Sequence, residues 1–289
     1  MTSSTPFTVS YTFIRHGEST DNLKSVWAGW KDAPLSNHGM KQARSLGRWF
    51  ATNNTHFTTI YSSTLQRAVM TADAILEHQV DPKPPLIKSI SLREQHFGQA
   101  EGHLYRQTRD PNLTLEEHYS RGIFPHLRSR SESFPGGESK DDLAKRAEDV
   151  IRDIILPSIV EAMKEGRTDY HVAIVSHGLF IKELIDRLLK RRAGVFPEIK
   201  YQGLRNTGWT RILIGIDGNV PSSSKNTSKA APDLSSSPLL VRITQVNRHE
   251  HLDSISRQKG GIGSAAHDPK QKGIRDFFGG ASTRPQNRR

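Results

Sequence analysis

The same local arrangement occurs twice in this chain. An apolar run ends in a histidine, a glycine follows, and a helical or polar pattern begins. The first instance is Ile14-Arg15-His16-Gly17, the second Val175-Ser176-His177-Gly178. Short apolar runs bounded by turn signals read as buried strands. A buried strand that feeds a helix is the repeating piece of a parallel sheet covered by helices. Ligands of such sheets bind in the crevice outside the strands' carboxyl ends. Both imidazoles are therefore expected at one edge of one sheet. Gly17 is expected to let backbone come close to a ligand there, and the N–H groups of a following helix start favour an anion.

The remaining pattern agrees with that frame. Strands are expected at Val9–Ile14, Thr58–Tyr61, Leu86–Leu92, Tyr170–Val175, Arg211–Ile216 and Leu239–Val246. Ser36 reads as a helix N-cap. Ala43, Leu46, Trp49 and Phe50 then form a stripe at helical spacing. Ser62-Ser63-Thr64 is expected to cap a second helix running to about His78. Residues 93–138 read as an irregular cap over the site, with some helix near 114–121. A helix starts at Ser139, reaches about Leu156 and continues past Pro157 to about Lys164. Another runs from Leu179 to Lys190. Strands alternating with helices predict an α/β chain, a three-layer α/β/α sandwich with a mostly parallel central sheet.

Composition limits the rest. Of 289 residues only 34% are hydrophobic, and none is cysteine. Part of the chain is thus expected to lie outside the core, and disulfides, thiolate zinc sites and a cysteine nucleophile are excluded. Residues 1–7 and the low-complexity stretch 217–238 read as unpacked, and 253–289 as a disordered basic tail. No apolar run approaches the roughly 20 residues of a spanning helix, and no secretory signal is visible. The net charge of +11 leaves open nucleic acid, a phosphorylated ligand or a basic tail. From Asp253 onward eight Lys and Arg stand against three Asp, a net +5. No segment reads as a direct nucleic-acid site.

Further polar residues follow the expected strands. Arg67 lies just past Ser62-Ser63-Thr64, and Glu94 follows Leu92-Arg93. Four strand ends thus bring two His, two Arg and one Glu to one edge. Two cations and two imidazoles at one edge suit an anion with several oxygens. Guanidiniums offer paired donors to such oxygens, and an imidazole is available uncharged near neutral pH.

These residues resemble the histidine phosphatase superfamily, also called phosphoglycerate mutase-like, over roughly residues 8–252. The match runs through Arg15-His16-Gly17-Glu18, Asn22, Gly29-Trp30, Pro34-Leu35-Ser36, Ser62-Ser63 up to Arg67, and Leu92-Arg93-Glu94 with Gly98 and Glu101-Gly102. It continues through Pro135-Gly136-Gly137-Glu138-Ser139, Ser176-His177-Gly178, Asn206-Thr207 and His251-Leu252. The resemblance implies that His16 is the nucleophile that becomes phosphorylated. Arg15, Arg67 and His177 hold the phosphoryl group, and Glu94 supplies the proton. Asn22, Gly29 and Gly178 line the substrate pocket. It implies no metal and no cofactor. Glu18 is expected to be structural, bonding backbone near the loop. Gln95-His96-Phe97-Gly98 and Glu101-Gly102 look like the phosphatase branch, and the short stretch between Glu94 and His177 points the same way. A mutase, or a weakly active domain kept as an interaction module, stay as alternatives. The substrate is a phosphorylated small molecule or a phosphopeptide. Arg106, Arg109, Arg121, Arg128 and Arg130 of the cap are candidates for a second phosphate or for a solvated face.

The tail holds one more signal. Gln271-Lys272-Gly273-Ile274-Arg275-Asp276-Phe277-Phe278 places an aromatic pair in a segment almost free of large apolar residues. With Gln271, Ile274, Phe277 and Phe278 as anchors it resembles the peptide that binds the DNA sliding clamp (PCNA), an amphipathic turn that docks in an apolar pocket. That resemblance implies a nuclear share beside a cytoplasmic one.

Overall fold

The computed structural model describes residues 7–193, 201, 203–216, 238–268 and 270. The expected strands become β1 (Val9–Arg15), β2 (Thr59–Ser63), β3 (Leu86–Ser89), β4 (His171–Ser176), β5 (Trp209–Ile216) and β6 (Leu239–Arg248). They form one sheet in the order β3-β2-β4-β1-β5-β6. The first four are parallel, and β5 and β6 run antiparallel to their neighbours. β1 is buried along most of its length because helices cover both sheet faces. On one face, Ile14, Ile60, Ala173, Val175 and Trp209 pack with Leu46, Phe50, Ala68, Ala72 and Ile75. Those five come from α1 (Asn37–Thr52) and α2 (Gln66–Glu77). On the other, Tyr11, Phe13, Val172, Ile174, Ile212 and Ile214 pack with Leu143, Ile151, Ile155, Ile159, Phe180 and Leu184. The result is the expected three-layer sandwich.

Ser36 caps α1, its hydroxyl accepting the Gly39 N–H at 2.9 Å. In the insertion after β3, a short α3 (Leu115–Ser120) carries a Thr114–Glu117 capping box. Phe97, Phe124 and Phe134 join Trp27 in a small aromatic core of their own. Ser139 and Asp142 form the capping box of α4 (Lys140–Val150). One π turn, Ile151–Ile155, joins it to α5 (Leu156–Glu165). α6 (Gly178–Lys190) starts directly after His177.

Three expectations change. The third strand stops at Ser89, and Ile90–Leu92 is a 3-10 turn. Ser62, Ser63 and Thr64 do not cap α2, whose N-cap is Leu65 with no side-chain bond. The stretch from Asp253 is also not loose in its first part. Residues 253–268 form a strap along α1. Ala265 accepts the Asn37 N–H at 2.9 Å, and His267 donates its own to Leu35 at 2.9 Å. The stretch 217–237 and the motif 271–278 lie outside the described residues.

Candidate active site

The carboxyl ends of the four parallel strands deliver the five polar residues. His16 follows β1 directly, and its backbone is fixed on both sides. Its N–H donates to Ser176 O at 3.0 Å, and its carbonyl accepts from the Thr207 N–H at 3.2 Å. The ring Nδ1 lies 2.6 Å from the Gly17 carbonyl. A carbonyl only accepts, so Nδ1 carries the proton and Nε2 keeps its lone pair. Gly17 is required for a different reason than expected. A Cβ there would sit 2.6 Å from the Gly39 carbonyl, so backbone of α1, rather than a ligand, is what needs the space.

His177 follows β4, with its ring centroid 5.0 Å from that of His16. Its Nε2 bonds the Ser63 hydroxyl at 2.8 Å, and Nδ1 is buried without a protein partner. Burial, then the charges of Arg67 and Arg15, hold His16 well below the ordinary histidine value. Burial and Arg67 do the same to His177. Both rings are neutral near pH 7.

The two guanidiniums reach this point by different routes. Arg67 stands on the first turn of α2, 1% exposed. It donates to the carbonyls of Lys31 (3.0 Å), Ala28 (3.1 Å) and Gly29 (2.8 Å). Gly29 thus serves the site by holding Arg67. Arg15 donates from Nη1 to Leu204 O at 2.9 Å, and its Nε is buried without a partner. Burial lowers the pKa of both guanidiniums, with Glu94 acting against it at each. Gly178 opens α6 beside Arg15, with a Cβ position 3.6 Å from Arg15 Nε.

Glu94 faces the start of α6. Its Oε1 accepts the N–H groups of Gln95 and Phe180, both at 3.0 Å, and Oε2 accepts that of Leu179 at 3.1 Å. It fills the capping role that His177 leaves open. Asn22 is exposed and lies at the rim. It accepts from Asn206 at 3.2 Å, and Asn206 in turn donates to the His16 carbonyl at 3.1 Å. Glu18 donates its N–H to the Gln42 side-chain oxygen at 2.9 Å, and its carbonyl accepts the Ser36 N–H at 2.8 Å. Its carboxylate takes the Ser36 hydroxyl at 2.7 Å and both arms of Arg257. Burial opposes its ionisation, but Arg257 and Ser36 outweigh that and hold its pKa low.

Several residues of the site carried no assigned role in the sequence. Ser63 orients His177. Thr207, held at φ +55, donates its N–H to the carbonyls of Arg15 and His16. Arg146 of α4 grips the turn that carries Glu94. It donates to the carbonyls of Ser91 (3.0 Å), Arg93 (2.6 Å) and Glu94 (3.0 Å), and to both Glu138 oxygens. A sequence signal existed, because Arg146 shares a helical face with the core residues Leu143, Ala147 and Val150. Among the cap arginines, Arg109 pairs with Glu132 and Arg130 with Asp141 and Glu183. Arg106 lies over Tyr105.

Two neutral rings and two buried guanidiniums thus lie together beside Glu94, whose carboxylate already accepts three N–H groups. Such a site has donors and positive charge to spare, and suits a multiply charged oxyanion. A profile of the Histidine phosphatase superfamily (branch 1) matches residues 11–227. The chain belongs to this superfamily. Among its relatives, a phosphoglycerate mutase of Schizosaccharomyces pombe is 31% identical over 195 residues, covering 65% of this chain and 86% of that one. A 2,3-bisphosphoglycerate-dependent phosphoglycerate mutase of Methylorubrum extorquens is 30% identical over 171 residues, covering 59% and 74%. Solved structures share the histidine phosphatase fold. A mycobacterial glucosyl-3-phosphoglycerate phosphatase superposes with a TM-score of 0.59 at 22% identity, over 83% of this chain and 99% of that one. A phosphoserine phosphatase of Entamoeba histolytica does so with a TM-score of 0.53 at 22% identity, over 84% and 99%.

Proposed function

We propose that the protein is a phosphomonoester hydrolase that works through a phosphohistidine on His16. The observation that carries this reading is the His16 ring. Its Nδ1–H is tied to the Gly17 carbonyl, its Nε2 lone pair is left for attack, and burial, Arg67 and Arg15 keep it unprotonated. In the first step Nε2 forms a bond to phosphorus while the ester P–O bond breaks. The leaving alkoxide takes a proton from Glu94. In the second, water attacks phosphorus, the P–N bond breaks and Glu94 takes the water's proton. Oε2 of Glu94 bonds a single N–H, so it is the oxygen with room for the transferable proton. Arg15 Nε and His177 Nδ1, buried without partners, supply donors to the phosphoryl oxygens once His177 carries its proton there.

Hydrolysis is preferred over phosphoryl transfer between positions of one substrate. The sequence after Glu94 supports it, as do phosphatases among the structural neighbours; the mutase relatives support the alternative. Incubation with an aryl phosphate in the presence of a chelator tests the reading. Released phosphate and a labelled protein that survives alkali but not acid are expected, and both should vanish in His16→Ala. Isomerised phosphoglycerate without net phosphate release identifies a mutase instead. Undiminished turnover in His16→Ala ends the proposal.

We further propose that residues 271–278 recruit the protein to a sliding clamp. The support is the sequence alone: four anchors at clamp-peptide spacing, flanked by Lys270, Lys272 and Arg275. Capture of the full chain on immobilised clamp should be lost in a Phe277→Ala/Phe278→Ala variant that keeps its hydrolase activity. Equal capture of both chains removes this proposal, and with it the argument for a nuclear share.

A further inference from the structure

The outward face of α1 is cationic and unneutralised. Lys41, Arg44 and Arg48 recur at intervals of three and four, so they form one stripe, and all three are exposed. The helix contains no Asp or Glu. Among the described residues none of the three lies within 4.0 Å of a carboxylate oxygen.

The strap lies along the same helix. Asn37 bonds Ala265 and Ile262, and Ser45 donates to the His251 carbonyl at 2.8 Å. The strap adds exposed Lys259 and, just past it, Lys270. Asp253 and Asp268 are the acidic residues it brings. The field of this face is felt by its neighbours. Burial and then Arg44 hold His267 below the ordinary histidine value, against Asp268. Burial, then Arg257 and Lys41, do so at His38, against Glu18.

We propose that this face binds the phosphate backbone of nucleic acid. Two features favour that occupant over an acidic protein. Protein interfaces centre on apolar and aromatic anchors with charge depleted; none of the exposed large apolar side chains lies on α1, and the strap adds a single one, Ile262. Phosphate contacts instead come from just such Lys and Arg stripes. From Lys41 to Arg48 is about 10 Å along the helix, a length over which a duplex presents about six phosphates on its two strands. α1 lies flat on the sheet with its other side in the core, so it contacts backbone rather than base edges. Binding is therefore sequence-independent. Because the hydrolytic residues lie elsewhere, the inference stands or falls apart from the reaction.

The test is anisotropy titration of the full chain against a labelled duplex of arbitrary sequence, from 50 to 200 mM salt. Each phosphate neutralised contributes about 0.9 to the slope of log K against log salt. Lys41→Ala/Arg44→Ala/Arg48→Ala should flatten that slope by about 3 and weaken low-salt binding by about tenfold or more. Turnover of an aryl phosphate should not change, which also reports that the variant is folded. Lack of binding at 50 mM salt overturns the proposal. So does an unchanged slope in the helix variant, with the slope lost instead in Lys272→Ala/Arg275→Ala/Arg284→Ala, because the tail alone would then bind. Displacement by poly-glutamate as readily as by unlabelled duplex also overturns it, in favour of an acidic protein.

Discussion

A guanidinium can fix a backbone as firmly as it fixes a phosphate. Arg146 spends its donors on three consecutive-turn carbonyls and one carboxylate, and its side chain is 14% exposed. It touches no reacting atom in this arrangement. It sets where Glu94 begins, and Glu94 must then reach both the leaving oxygen and the start of α6. Arg146→Ala should therefore lower kcat by about 10- to 100-fold, the scale expected when a catalytic group is displaced by about 1 Å, with little change in KM. Arg146→Lys should restore little, because an ammonium cannot span the same carbonyls in one plane. A rise in KM at constant kcat would instead place Arg146 in substrate binding. His16 makes a separate prediction about pH. An ordinary imidazole would lose its nucleophile as pH falls through about 6.5. Burial, Arg67 and Arg15 push the His16 value well below that, so the neutral form survives further acidification. The fall in kcat/KM assigned to this ring should thus lie below pH 6.5. A midpoint at 6.5 that disappears in no other variant would show that burial and the two guanidiniums together exert no net effect on it.

At the scale of elements, the strands and helices were legible because apolar periodicity is a direct record of burial. Four parallel strand ends could be assigned polar residues for the same reason. The errors fall where polar groups do the packing. Ser62, Ser63 and Thr64 look like a helix cap, but the site has claimed their oxygens. Ser62 bonds the Ser63 carbonyl, Ser63 bonds His177, and Thr64 accepts from Arg93. The Gly29 carbonyl is a rest for Arg67, a contact that no sequence pattern announces. The strap was invisible because Gly, Ser and Lys have no apolar period. Backbone bonds to Leu35 and Asn37 and the Arg257–Glu18 pair order it, and none of these leaves a hydropathy trace. Arg257→Ala should therefore raise amide exchange across 253–268 and at the α1 N-terminus while leaving β1 and β4 protected. Exchange unchanged in the strap would mean that the backbone bonds alone hold it.

Across the whole molecule, the same burial that prepares the site makes the fold sensitive to acid. Burial favours the uncharged rings of His16, His171, His177 and His251. Burial and Arg211 press His171 down to about 3, and burial presses His251 to about 4, with Glu250 opposing it. In the unfolded chain each titrates near 6.5. Above pH 6.5 both states are neutral and the histidines contribute nothing to pH dependence. Below it the unfolded chain binds protons that the folded chain refuses, so stability falls as pH falls. For His171 alone the loss by pH 5 is about 2 kcal/mol. Carboxylates held low, such as Glu18, act in the same direction only at lower pH, so His171 must be isolated by substitution. Gln at position 171 can still bond the Thr12 hydroxyl, which the His171 ring meets at 2.8 Å, but it cannot titrate. Between pH 7 and pH 5 the Tm of the native chain should therefore drop by about 4–8 °C more than that of His171→Gln. Equal drops in the two proteins would show that this ring takes up its proton inside the fold, against the burial and the Arg211 charge that surround it.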